Sequence, residues 1–154
     1  MAKFICNAFF GRTDAQGRAF AEKEMLDLVS LLYNSPSVVL WVPFNEGWGQ
    51  FDSLQATQSL WELDDTRLVD HASGWHDQGI GDFKSLHVYF KPYKFSGDKK
   101  KRCEILTEFG GYSYKPDGHV ANEEKTYAYA FYESAEALED AFVALYENEI
   151  IPQI

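Results

Sequence analysis

Hydrophobic and polar residues follow two patterns along the chain, one typical of helices and one of strands. Over residues 15–33 the apolar positions recur every three or four residues, which predicts an amphipathic helix. Pro36 follows and disfavours a helical conformation at the residue before it, so the helix ends near this point. A capping box of Asp52 and Gln55 predicts a second helix. A third helix is predicted near the end of the chain, with Ser134 as its cap.

Four short apolar runs predict strands between these helices. The first, at residues 38–42, reads Val-Val-Leu-Trp-Val and is typical of a strand buried on both faces. The others span residues 67–73, 85–90 and 103–109. Strands that alternate with helices or long connections predict an α/β fold with a parallel sheet.

Length, charge and cysteine content narrow the classes of protein. A chain of 154 residues, 45% of them apolar, predicts one domain with a core. The net charge of −10 argues against nucleic-acid binding, because phosphates would be repelled. One basic run, at residues 99–102, breaks this trend and is predicted to be a solvated loop before a strand. No apolar run reaches the ~18 residues of a membrane span, so no membrane partner is expected.

The metal-ligating residue types do not form a recognisable site. Cys6 and Cys103 are too few for a disulfide scaffold and lack the spacing of metal ligands. Four histidines are present, but none falls in a His-Glu-x-x-His pattern or a comparable one. We therefore predict neither a metal nor another cofactor.

The most unusual polar residues come where the predicted strands end. Because the carboxyl ends of parallel strands meet at one edge of a sheet, we expect such residues to form one site. A strand also places residues two apart on the same face, as for His87 and Tyr89. The residues at the strand ends are Asn45, Glu46, Asp70, His71, Ser73, His87, Tyr89 and Glu108.

Glu46 and Glu108 are chemically matched, since each follows an apolar strand and precedes glycines. Two carboxyl groups that face each other can divide the work of catalysis, one donating a proton while the other attacks or activates water. Cleavage of a glycosidic bond requires this pairing, and nearby aromatic rings suit stacking on sugars. A single acidic residue at a strand end is more often structural, so the hypothesis depends on the pair.

Two segments are similar to a known enzyme family. At residues 34–49 the chain reads NSPSVVLWVPFNEGWG, in which Pro-Ser and an apolar run with tryptophan lead to Asn-Glu. At residues 105–111 it reads ILTEFGG. Both resemble glycoside hydrolase family 2, and VDHASGW and HVYF lie between them in the expected order. The resemblance extends from Phe20 to the last helix.

The resemblance implies roles for individual residues. Glu46 would be the acid/base and Glu108 the nucleophile of a retaining mechanism by double displacement. Asn45 would bind the 2-hydroxyl of the sugar, and Tyr89 would contact the nucleophile and help to keep it ionised. The remaining sugar-site residues implied are Trp48, Trp75 and His87. A retaining mechanism further predicts that the two carboxyl groups lie ~5–5.5 Å apart.

The resemblance also implies a fold and a substrate class. The family has a (β/α)₈ barrel of ~250 residues, so this chain would be a fragment of that barrel covering its strands four to seven. Such a four-stranded sheet has two open edges, and we expect a homo-oligomer formed through them. The family cleaves β-galactosides, β-glucuronides and β-mannosides, and a β-galactosidase-like activity is preferred here. A non-catalytic carbohydrate-binding module and a purely structural half-barrel are the alternatives.

Overall fold

A computed structural model describes residues 12–46 and 49–154 of the chain. Cys6 and Trp48 lie outside the described residues. The helices are α1 (Ala15–Leu32), α2 (Ser53–Leu63) and α3 (Ala135–Leu145), the last followed by a π-helix (Tyr146–Ile150) and a 3-10 helix (Ile151–Gln153). The strands are β1 (Leu40–Trp41), β2 (Leu68–Val69), β3 (Phe83–Val88), β4 (Cys103–Phe109), β5 (Tyr112–Tyr114) and β6 (Ala130–Tyr132).

The chain divides into two compact units. In its described part, the first unit comprises residues 12–46, 49–87 and 97–107, and the second comprises residues 88–96 and 108–154. The first unit therefore holds α1, α2, β1, β2 and most of β3 and β4. The second holds β5, β6, α3 and the terminal helices. No helix in the described part is both long and apolar enough to cross a membrane.

The core of the first unit lies where α1 and α2 cover the β1–β2 pair. The two strands are parallel, with Leu40 opposite Leu68 and Trp41 opposite Val69. Val29 from α1 and Leu60 from α2 pack with Trp41 and Val69, and all four are buried. The periodicity that predicted α1 is confirmed by this arrangement, and the second predicted helix, α2, is present as well.

Two predictions about the start of this region are wrong. The run at residues 38–42 is not buried on both faces, because Val39 is 71% exposed and only its last-but-one residue, Trp41, is fully buried. The capping box does not form either. Asp52 has a left-handed backbone, with φ at 40°, and makes no capping hydrogen bond through its side chain. Its carboxylate instead accepts a hydrogen bond from Arg18 of α1 at 2.8 Å.

Asp64, at the end of α2, joins helix and strands through its buried carboxylate. Its Oδ2 accepts hydrogen bonds from the Trp41 indole at 2.9 Å and from Arg67 at 2.6 Å. Its Oδ1 accepts from the hydroxyl and the backbone N–H of Thr66. Arg67 also donates to the carbonyl of Val38 at 2.7 Å. One carboxylate therefore fixes the exit of α2 relative to both strands.

The β3–β4 pair is held by polar side chains as well as by its own ladder. Lys84 bonds to Glu104 at 2.7 Å, and the hydroxyls of Ser85 and Thr107 lie 2.7 Å apart. Arg102, just before β4, binds the carboxylates of both Asp77 and Asp98. The prediction of a solvated basic loop is wrong for Arg102, whose side chain is only 9% exposed. The preceding lysines are exposed, as predicted.

The second unit contains a strand pair that the sequence pattern did not predict. β5 and β6 are parallel, with Tyr112 opposite Ala130 and Tyr114 opposite Tyr132. The helix predicted to follow is confirmed, since the hydroxyl of Ser134 accepts a hydrogen bond from the N–H of Ala137 at 3.1 Å.

The predicted partial (β/α)₈ barrel is wrong. The chain is a small α/β protein whose described strands form three separate two-stranded sheets, rather than one continuous sheet. A physical reason lies at the edge of β2, where the N–H of Val69 donates to the Asp82 carboxylate at 2.7 Å. The N–H of Asp82 returns a bond to the Val69 carbonyl at 2.8 Å. A loop residue thus occupies positions where a barrel would place the next strand.

Candidate active site

A short parallel bridge beyond β1 and β2 positions Asn45 and Glu46. Asn45 pairs with Ser73 across this bridge. The N–H of Ser73 donates to the carbonyl of Phe44 at 2.9 Å, and the N–H of Glu46 donates to the carbonyl of Ser73 at 2.7 Å. The Ser73 hydroxyl also donates to Oδ1 of Asn45 at 2.7 Å, which orients the amide so that its NH₂ can serve as a donor.

Glu46 has a backbone conformation that is rare for a residue with a side chain. Its φ is 56°, in the left-handed region that glycine occupies without strain. Holding another residue there costs about 1–3 kcal/mol, and such residues cluster at functional sites. The bonds of the bridge to Ser73 supply the restraint that keeps this backbone in place.

His87 of β3 is the partner of the Glu46 carboxylate. Its Nδ1 lies 3.2 Å from Oε1 of Glu46, and its imidazole is fully buried while the carboxylate is 21% exposed. The indole N–H of Trp75 donates to the carbonyl of His87 at 3.1 Å. The Trp75 and His87 rings meet edge to face, with centroids 6.2 Å apart. The first unit therefore brings Glu46, His87 and Trp75 into one cluster beside Asn45.

Gly74 makes room for this cluster, and the sequence analysis missed it. A Cβ at this position would lie 2.3 Å from Cγ of His87, and the backbone φ is 88°. The N–H of Gly74 donates to the Ser85 hydroxyl at 3.1 Å, which fixes the close approach. The sequence indicates the importance of Gly74 only through its position directly after a predicted strand.

Two buried titratable residues that precede Ser73 in the chain, Asp70 and His71, are shifted toward their neutral forms. Asp70 is fully buried, and burial raises the pKa of its carboxyl. Burial also lowers the pKa of His71, whose Nε2 accepts a hydrogen bond from the N–H of Gln78 at 2.9 Å.

In the second unit, the Tyr89 hydroxyl donates a hydrogen bond to the Glu108 carboxylate. Tyr89 lies one residue beyond β3, which ends at Val88 and not at residue 90 as predicted. Its ring packs on that of Tyr129 with centroids 4.1 Å apart, and this contact holds the hydroxyl toward Glu108. Glu108 itself is solvent-accessible near the end of β4.

The predicted site residues are therefore found in two groups. Asn45, Glu46, Trp75 and His87 lie together in the first unit, and Tyr89 and Glu108 lie together in the second. The distance between the two glutamates stays a prediction. Comparison of the chain with protein-family models finds no match, and comparison with curated proteins finds none either.

Proposed function

We propose that this chain carries the catalytic pair of a retaining O-glycosidase that hydrolyses β-glycosides. Glu108 is the nucleophile in this proposal and Glu46 the acid/base. The single observation that carries it is the hydrogen bond from Tyr89 to Glu108. A nucleophilic carboxylate has to be held in one orientation, and the motif resemblance assigns that contact to the same two residues.

The surroundings of Glu46 support its part in the proposal. A group that donates and later accepts a proton needs solvent access and a fixed orientation. Glu46 is partly exposed, its backbone is held in a strained conformation, and buried His87 contacts its carboxylate. Neighbouring Asn45 has an oriented amide whose NH₂ could donate to a sugar hydroxyl.

The reaction in this proposal has two steps. Glu108 attacks the anomeric carbon and forms a glycosyl ester while Glu46 donates a proton to the departing oxygen. Glu46, now ionised, removes a proton from water, and the hydroxide oxygen attacks the same carbon and releases Glu108. Both steps require the carboxyl groups on opposite sides of one sugar ring, at ~5–5.5 Å from each other.

The experiment compares Glu46→Ala and Glu108→Ala on 2,4-dinitrophenyl β-glycosides. This leaving group departs without a proton, so Glu46→Ala should still form the glycosyl ester but hydrolyse it about 10²- to 10⁴-fold more slowly. The ester would appear in the intact mass of the protein. Glu108→Ala has no nucleophile and should give neither ester nor product.

Glu62→Ala is the matched control, because Glu62 is an exposed glutamate on α2. It should behave as the wild type does. Equal trace rates for the wild type and Glu108→Ala would contradict the proposal and favour a non-catalytic binding protein. A panel of aryl β-galactosides, β-glucuronides and β-mannosides then identifies the sugar, and we expect the galactoside to be cleaved fastest.

A further inference from the structure

The second unit contains a cavity of about 200 Å³ beside Tyr89. Its volume is smaller than the ≈ 300–1,000 Å³ of pockets for drug-sized ligands, so it suits a ligand with a single ring. Aromatic side chains dominate its walls, together with one lysine and one glutamate. The residues that line the cavity include Tyr89, Lys91, Tyr93, Phe109, Tyr112 and Glu149.

The aromatic walls favour a ring with an apolar face. Tyr93 and Tyr112 are both partly buried, and the Tyr112 ring packs edge to face on Tyr132 with centroids 5.3 Å apart. Burial, together with nearby Tyr132 and Glu149, raises the pKa of Tyr112, so its hydroxyl remains a neutral donor. Aromatic faces with a polar tip present both kinds of surface that a sugar ring requires.

The charges at the cavity favour a ligand that is polar but neutral. Lys91 offers ammonium donors and Glu149 offers carboxylate acceptors, and their formal charges cancel. An anion or a cation would meet one attractive and one repulsive group. Hydroxyl groups can both donate to the carboxylate and accept from the ammonium.

Glu149 and Ile150 reach the cavity from the π-helix (Tyr146–Ile150) that follows α3. The π-helical turn is rare and occurs frequently at functional sites, because the extra residue per turn changes the direction of the side chains. A regular continuation of α3 would present a different set of residues to the cavity.

We propose that this cavity is a second carbohydrate subsite, which binds one neutral pyranose ring next to Tyr89. The choice of a sugar rests on the proposed function, whereas the cavity and its polar groups do not. Tyr89 both lines the cavity and bonds to Glu108, so an occupied cavity would adjoin the proposed nucleophile within the second unit.

The test is a titration of the Glu108→Gln protein with methyl β-galactopyranoside and methyl β-glucopyranoside, followed by amide NMR. This substitution removes the nucleophile and keeps the shape of the side chain. We expect a dissociation constant on the order of 1 mM and shifts centred on Lys91, Tyr93, Tyr112 and Glu149. Glu149→Ala should weaken binding about tenfold, because a hydrogen bond to a charged group is lost.

Glu147→Ala is the control, since Glu147 is an exposed glutamate of the same π-helix that does not line the cavity. It should leave the affinity unchanged. Chemical-shift changes confined to the surroundings of Glu46 and residue 108 would overturn the subsite. So would the absence of any change at glycoside concentrations far above the expected dissociation constant. Stronger binding of phenol than of either glycoside would overturn it as well. Cavity shifts in a protein without hydrolytic activity would refute only the proposed function.

Discussion

Gly74 and His87 share a space that one methyl group would fill. A Cβ on Gly74 would lie 2.3 Å from the His87 ring, which is buried and cannot retreat into solvent. We therefore predict that Gly74→Ala displaces His87 from Glu46. Hydrolysis of an aryl β-glycoside should fall at least about tenfold, the effect expected when a positioned proton-transfer group is disturbed. The measurement is kcat/KM together with thermal unfolding.

Gly118→Ala separates this effect from backbone strain. Gly118 also has a positive φ, at 70°, but a Cβ there would have no neighbour within 4 Å. The unfavourable backbone angle should lower the free energy of unfolding by about 1 kcal/mol in both variants, and Gly74→Ala should lower it further because its Cβ also meets His87. Equal activity in the two variants would show that the contact between Gly74 and His87 has no catalytic consequence.

Some residues of the candidate site could be predicted from the sequence, and others could not. Glu46 and Glu108 could be identified because each lies near the end of an apolar run and before glycines, which the sequence alone shows. Gly74 could not, because its importance depends on how closely β3 approaches the bridge between Asn45 and Ser73. That approach is set by contacts between distant parts of the chain, and no local pattern encodes it.

At the scale of elements, Asp64 is the joint between α2 and the β1–β2 pair. Burial alone would raise the pKa of its carboxyl, but hydrogen bonds from Thr66, Trp41 and Arg67 outweigh burial and lower it. Because the folded pKa lies below the ordinary value of 3.8, the ionised group stabilises the fold at higher pH. This stabilisation is lost as the pH falls through and below 3.8.

We predict that Asp64→Asn lowers the free energy of unfolding by about 2 kcal/mol above about pH 5, because the substitution removes the hydrogen bonds that the ionised carboxylate accepts. The difference from the wild type should shrink as the pH falls below 3.8. Urea unfolding at a series of pH values measures it. Asp65→Asn, at the exposed neighbouring position, should show no comparable difference. A difference that is constant with pH would contradict the role of the Asp64 charge.

Elements with a strong local signal were predicted well. α1 and α3 followed from periodicity and caps, and β4 begins and ends at the predicted residues. The cap of α2 failed because Arg18, a residue 34 positions away, competes for the Asp52 carboxylate. β5 and β6 were missed because each has only three residues, too few to show alternation.

At the scale of the whole molecule, the pairing of strands was the least predictable feature. The parallel β1–β2 pair is consistent with the predicted strand order, yet the sheet stops there because Asp82 bonds to the edge of β2. A resemblance in motifs gives the order of strands, but it does not reveal which groups occupy the hydrogen-bonding edge between them.

Each described strand pairs with one neighbouring strand, and Asp82 bonds to the outer edge of β2. On the β1–β2 pair Leu68 is 50% exposed, and Val39, one residue before β1, is 71% exposed. We predict a homo-oligomer formed through this pair, with light scattering giving a multiple of 17.6 kDa. Added salt should favour it, because each copy carries a net charge of −10 and salt screens the repulsion.

Leu68→Lys should shift the mass toward 17.6 kDa, because a charged side chain in place of this exposed leucine opposes its burial between copies. Leu54→Lys is the control, as Leu54 is similarly exposed but lies on α2. A single species of 17.6 kDa at high protein concentration, with and without salt, would rule out this assembly.

The left-handed backbone at Glu46 opposes the stability of the fold to the activity proposed for this residue. Glycine would adopt the same φ of 56° without strain, so Glu46→Gly should raise the free energy of unfolding by about 1 kcal/mol even as it abolishes the proposed proton transfer. Thermal unfolding tests this, and a lower melting temperature would mean that the contact with His87 outweighs the strain. A higher melting temperature would mean that a glutamate stands at this position at a cost in stability, as the proposed proton transfer requires.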